Sequence, residues 1–306
     1  MSLQNTIRKE FTLVGIERLG GNLVELNFKP AMDDTGIIFQ TQWGDIKARL
    51  EYALPSTNSI LLRNESVSVL NVEHVLATLF AYEIDNVVIG VNRKPSRSFR
   101  LLKELGLATK VEVIPYFEEC EKTLCDKLDE VGIKQQEKVR KVLKLDKPLY
   151  TDRLSFEPIE EGLVIVAITD YSIPGTQILE LRVNPILYRD EVSRSRPYAK
   201  QVPVWMPQKL ASIIASFVYP TYGIGHGFAN STLLMPVRTR DEWYRSQLYP
   251  KGDEITRHTI LDRLGALALL DGKLEGVRVI AQYSGHANDI RVLKEMMRAG
   301  NFTQRR

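Results

Sequence analysis

One pattern occurs twice in this chain, and it narrows the folds open to it. Alternating apolar segments lead into a helix that opens with a histidine, and the helix leads into another strand. In the first copy Val72-Glu73-His74 begins the helix and Asn86-Val87-Val88-Ile89 is the strand that follows. In the second, Thr256-Arg257-His258 begins the helix and Gly276-Val277-Arg278-Val279-Ile280 is the strand. Val72, Val75, Leu76, Leu79 and Phe80 fall at i, i+3, i+4, i+7 and i+8, the spacing of a core-facing helical stripe over 71–81. Ile260, Leu261, Leu264, Leu267 and Ala268 make a similar stripe over 254–271. His74 lies off its stripe among Ala77, Thr78 and Ala81, small residues that permit close approach by another element. The repeat predicts an α+β fold of two similar domains. Each is a β-sheet layered with helices, and both histidines face a shared cleft.

The histidines carry the chemistry. His258 and Asp262 are i and i+4, so a helix puts both on one face. With His74 they form two imidazoles and a carboxylate, a standard protein set for catalytic zinc that leaves one coordination position open. Glu73, beside His74, is a candidate base for water at that position. His286 ends a Ser284-Gly285-His286 segment after an apolar run. Spacing alone leaves a plain surface pair open for His258 and Asp262.

Composition excludes several classes. A chain of 306 residues has room for two domains, and 44% hydrophobic with 26% charged residues is ordinary for a globular protein. The net charge of +3 does not point to a polyanionic partner, and the basic cluster from Arg93 to Arg100 reads as a solvated loop, so no nucleic acid is expected. Cys120 and Cys125 make neither a disulfide framework nor a metal set. No transmembrane segment or signal peptide is expected, which makes the cytoplasm the default location. Further strands are expected at 23–28, 36–39, 59–62, 162–168, 178–183 and near 231–235. A helix is expected at 206–219, and the stretch 116–145, rich in Lys and Glu, reads as helix-prone.

The ordered combination of several motifs resembles a known family. Val72-Glu73-His74, Ile84-Asp85-Asn86-Val87-Val88-Ile89, Asp253-Glu254, Arg257-His258, Leu261-Asp262 and Ser284-Gly285-His286 are similar to the zinc-dependent UDP-3-O-acyl-N-acetylglucosamine deacetylases of lipid A synthesis. Weaker echoes are Lys29-Pro30-Ala31, Thr35-Gly36, Ile114-Pro115, Gly132-Ile133 and Ser193-Arg194-Ser195-Arg196. The resemblance implies Zn2+ held by His74, His258 and Asp262, with Glu73 as general base. It implies that His286 stabilises developing charge and helps protonate the leaving amine. It also implies a small-molecule substrate, an acylated amino sugar or related amide. The domains are expected at 1–149, with an insertion near 92–112, and at 150–306.

The departures from the family pattern touch substrate and auxiliary positions. Ala266 stands where an aspartate supports the catalytic histidine. Pro197 replaces a threonine that helps hold the oxyanion, and it brings no hydroxyl and no backbone donor. Thr259 replaces a lysine that meets the substrate phosphate, and Glu17-Arg18-Leu19 replaces a Gly-Leu-His segment. Asn288 or Asp289 is a candidate substitute for the support lost at Ala266. His226 lies in a Gly223-Ile224-Gly225-His226-Gly227 loop, and the adjacent Phe228 is expected to narrow an acyl-chain passage. The expected function is a deacetylase of altered specificity. A non-catalytic zinc protein of the same fold, serving ligand binding or regulation, is the alternative.

Overall fold

The computed structural model describes residues 2–17, 22–56, 59–93, 110–171, 174–199, 233–234, 248–249 and 251–305. Its helices are α1 (Glu73–Ala81), α2 (Lys122–Val131), α3 (Pro185–Glu191), α4 (Glu254–Leu267) and α5 (His286–Ala299). The first large sheet has the strand order Phe11–Ile16, Leu23–Pro30, Val87–Arg93, Ile37–Thr41, Gly44–Lys47. The second has Leu154–Pro158, Val277–Gln282, Leu163–Tyr171, Gly175–Arg182.

The two sheets share one topology. In the first, the strand after α1 lies parallel to Ile37–Thr41 and antiparallel to Leu23–Pro30. In the second, the strand after α4 lies parallel to Leu163–Tyr171 and antiparallel to Leu154–Pro158. Each of the parallel partners also forms a hairpin with the strand that follows it. The expected repeat is therefore an α+β duplication, with a helix inserted before the last strand of each copy.

The helices α1 and α4 pack on each other. A Cβ added at Gly265 would stand 2.2 Å from the Glu73 carbonyl oxygen, so only glycine admits this approach. Every residue of α4 is buried, including Glu254, Arg257 and Arg263. The apolar stripe read in the sequence is present, but the opposite face meets protein and not water. Asn71 turns the chain into α1 with φ of 67°, and its side chain donates to the Ile114 carbonyl and accepts from the Tyr116 hydroxyl. Asparagine tolerates this left-handed conformation better than most residues.

The Lys- and Glu-rich stretch 116–145 is not one helix. The helix ends at Gly132, whose φ is 78°, and strands Ile133–Val139 and Val142–Leu145 follow. Ile133–Val139 pairs with Leu3–Ile7 and is largely solvent-exposed. Its charged composition reflects that exposure and not helical preference. The segment after Ser284-Gly285, where no element is expected, is the helix α5, which buries Ile290, Leu293 and Met296. The expected insertion lies mostly in 94–109, outside the described residues, as do most of the basic cluster, the helix at 206–219, Leu19, His226 and Phe228. Of the strand expected near 231–235, Leu233–Leu234 is described and pairs with Tyr198–Ala199. Among the described residues no helix is long and apolar enough to cross a membrane.

Candidate metal centre

The first turn of α1 and the middle of α4 bring the expected donors together. His74, His258 and Asp262 each offer a ligand atom, and these atoms lie within 4.8 Å of one another. All three residues are buried. The His74 and His258 rings are 5.0 Å apart between centroids, and His258 Nε2 is 3.4 Å from Asp262 Oδ1.

Neighbouring groups fix the ring orientations. His258 Nδ1 donates to the Ser195 carbonyl at 3.0 Å, which leaves Nε2 with its lone pair facing Asp262. His74 Nδ1 lies 3.1 Å from the Glu121 carboxylate, which leaves its Nε2 for the centre. Asp262 Oδ1 is buried with no hydrogen-bond donor among the described residues. Two imidazole nitrogens, each on a ring held from behind, and a carboxylate oxygen without a donor fit a divalent ion of the zinc type.

Two further groups border this set. Glu73 Oε2 accepts from the Ile60 backbone N–H at 2.8 Å, while Oε1 lies 3.9 Å from His286 Nε2. The same imidazole nitrogen is 3.7 Å from Asp262 Oδ2. The carboxylate of α1 and the imidazole at the start of α5 thus flank the donor set without belonging to it.

Charge in the metal-free centre follows from burial and contact. Burial alone would push the His74 imidazole down, but the Glu121 carboxylate, aided by Glu73 and Asp262, raises it to about 9. Burial, reinforced by the neighbouring His74, holds His258 low despite Asp262. Burial would raise Asp262, yet the charges of His258, His286, Arg263 and His74 hold it below the usual carboxylate range. A proton therefore sits on His74 below pH about 9 until metal displaces it, and metal affinity should rise with pH up to that point. Acidification of a weakly buffered neutral solution on zinc addition would measure this release.

The profile of the UDP-3-O-acyl N-acetylglycosamine deacetylase family matches residues 4–298. The chain belongs to this family. Proteins named UDP-3-O-acyl-N-acetylglucosamine deacetylase are similar to it along nearly their whole length. One from Thermodesulfovibrio yellowstonii is 26% identical, with 99% of this chain and 94% of that protein aligned. One from Chlamydia pneumoniae is 26% identical, with 97% of each covered. One from Aliarcobacter butzleri is 25% identical over 94% of this chain and 87% of that protein.

The family departures have definite places in the fold. Thr259 is buried, and its hydroxyl donates back to the Ile255 carbonyl of its own helix at 3.0 Å. Pro197 follows Arg196, whose backbone N–H and guanidinium both bind the buried Glu254 carboxylate. This pairing ties the loop that carries the Ser195 carbonyl to the first turn of α4. Ala266 is buried one turn after Asp262.

Glu121 is the residue that sequence reasoning missed. It is fully buried and follows Cys120, whose φ of 52° is unusual for a residue with a side chain. Nothing in local periodicity couples it to His74, 47 positions earlier by number. Glu121→Gln should weaken metal affinity by about 10–100-fold, because the charge that orients the ligand and raises its basicity is removed. Competition with a chelator would measure the change, and unchanged affinity would remove Glu121 from the support of the centre.

A cleft of about 720 Å³ opens elsewhere, lined in part by Arg49, Glu83, Arg140, Asp271 and Lys273. Its charges are largely paired with one another: Arg49 with Asp271, Arg140 with Glu83, and Lys273 with Glu83. None of the residues of the metal centre lines it.

Proposed function

We propose that the chain is a zinc-dependent deacetylase that hydrolyses the N-acyl group of an acylated amino sugar, with substrate recognition altered from that of its relatives. The observation that carries the reading is the convergence of His74, His258 and Asp262 beside Glu73 and His286. The two repeats, taken as 1–149 and 150–306, contribute one helix each. Zinc, when bound, supplies a Lewis acid that polarises the amide carbonyl and acidifies water.

The protein's own groups do the rest. Glu73 takes the proton of the attacking water, and its bond from the Ile60 N–H holds the carboxylate in place for that transfer. His286 faces both Glu73 and Asp262, so it stands where negative charge grows on the former carbonyl oxygen. As the C–N bond breaks, the proton taken by Glu73 passes to the departing nitrogen with help from His286. Acetate and a free amine leave. The buried walls around these groups strengthen each electrostatic contact by excluding water.

The altered recognition rests on Thr259 and Pro197. A hydroxyl turned back to Ile255 offers no positive charge to a phosphate. Proline at 197 offers no donor to an oxyanion. Lost hydrogen bonds to charged groups cost ~1.5–3 kcal/mol each, so kcat/KM on the UDP-linked precursor should fall by roughly 10³ when these losses combine. Acetate release from that precursor, beside a panel of N-acetylated sugars, is the test. We expect slow release by the wild type and a gain of about tenfold or more in Thr259→Lys. A wild-type rate in the ordinary range of ~1–10³ per second would overturn the altered recognition. No acetate from any substrate by the zinc-loaded protein would overturn the hydrolase reading.

A further inference from the structure

Arg263 has no task in the steps above, yet its guanidinium is buried beside the metal centre. Arginine keeps its charge at any working pH, so a buried one persists only where partners hold it. Its partners lie on both sides of His286 in the chain. Arg263 Nη1 donates to the Ser284 carbonyl at 2.8 Å, and Nε lies 2.9 Å from Asp289 Oδ2. Its Nη2 lies 3.8 Å from Oδ2 of Asp262, the preceding residue and a metal donor. One planar group on α4 therefore reaches both flanks of His286.

The imidazole has little else to place it. Its Nδ1 is buried without a hydrogen-bond partner among the described residues. Its Nε2 stands 3.9 Å from Glu73 Oε1 and 3.7 Å from Asp262 Oδ2, beyond hydrogen-bond range. Neither candidate for the support lost at Ala266 is bonded to the ring itself. Asn288 donates to the Ser284 hydroxyl, and Asp289 divides its oxygens between that hydroxyl and Arg263. The ring's position therefore follows from where the backbone starts α5. That start is weakly held from within. Gly285, the N-cap, has no side chain to cap the helix, and Tyr283 takes a φ of 53°, a costly conformation for a bulky residue. The hold comes from α4. Arg263, Ala266 and Asp289 border one void of about 10 Å³, so the short side chain at 266 leaves the guanidinium its place.

We propose that Arg263 is the positioning residue for His286: its guanidinium brackets the turn from Ser284 to Asp289, fixes that turn to α4, and so sets the imidazole against Glu73 and Asp262. The catalytic consequence rests on the hydrolase reading, but the bracket does not. The support absent at Ala266 then acts through the backbone that carries the histidine and not through a bond to its ring.

The test removes the bracket without stranding a buried charge, in the full-length protein loaded with zinc. Arg263→Met/Asp289→Asn deletes both members of the ion pair and keeps similar volume, so the fold and the zinc content should persist. Its kcat should fall by about 10–100-fold while KM stays near wild type, since a misplaced group costs rate and not substrate binding. Amide hydrogen exchange supplies a readout independent of turnover. The Asn288 and Asp289 amides donate to the Gly285 carbonyl in the first turn of α5. They should exchange about tenfold faster in the double variant, with the amides of α4 unchanged. If the double variant fails to fold, Arg263→Lys decides by the same two readouts. It keeps a cation for Asp289, but one ammonium lacks the fork that serves Asp289 and the Ser284 carbonyl together. An unchanged kcat, a rise in KM alone, or unchanged exchange in α5 overturns the proposal. Faster exchange in a protein releasing no acetate supports the bracket and overturns only the hydrolase reading.

Discussion

Glu73→Gln should retain its zinc and lose about 10²–10⁴ of its hydrolytic rate. The side chain keeps its shape, and its carbonyl oxygen can still accept the Ile60 N–H that now binds Oε2. What it loses is the capacity to accept a proton, since an amide has no basic oxygen at working pH. Glu73 also stands outside the three-residue donor set, so the metal should not respond. Metal analysis paired with acetate release gives the result directly. Loss of zinc together with activity would move Glu73 into the coordination shell and require a different base.

A larger effect on binding is expected at His258. The His258→Ala protein should hold no zinc at concentrations that saturate the wild type, because one of three protein ligands is gone. Ligand binding to the folded state alone adds stability, ~2.7 kcal/mol at one hundred times Kd. The wild type should therefore show a rise in Tm on zinc addition, and His258→Ala should show none. The variant also leaves the Ser195 carbonyl without its ring donor, so its baseline Tm should fall. The zinc response separates the two effects. A full response in the variant would exclude His258 as a ligand.

The sequence made parts of this legible for identifiable reasons. The stripes on α1 and α4 repeat over two turns and more, and the i, i+4 spacing of His258 and Asp262 survives any detail of packing. The matching order of strands and helix in the two halves followed from the same periodicity. The stretch 116–145 was legible only in part, as helix over Lys122–Val131, because Lys and Glu are common to exposed helices and exposed strands and Gly132 stops the helix. The α5 helix was missed although Ile290, Leu293 and Met296 recur at i, i+3 and i+6. The burial of α4 on every side could not be read, because its polar face is covered by elements distant in sequence. Glu121 stayed hidden for the same reason. Of the two candidates for the support lost at Ala266, Asn288 donates to the Ser284 hydroxyl and Asp289 accepts from it, and neither choice follows from spacing.

The shared strand order has a consequence for how the two halves can differ. One repeat supplies Glu73 and His74, and the other supplies His258 and Asp262. Neither half alone carries the three-residue donor set. Two identical halves would offer the same donors twice, so the asymmetry of the centre lies in side chains that differ on a backbone that repeats.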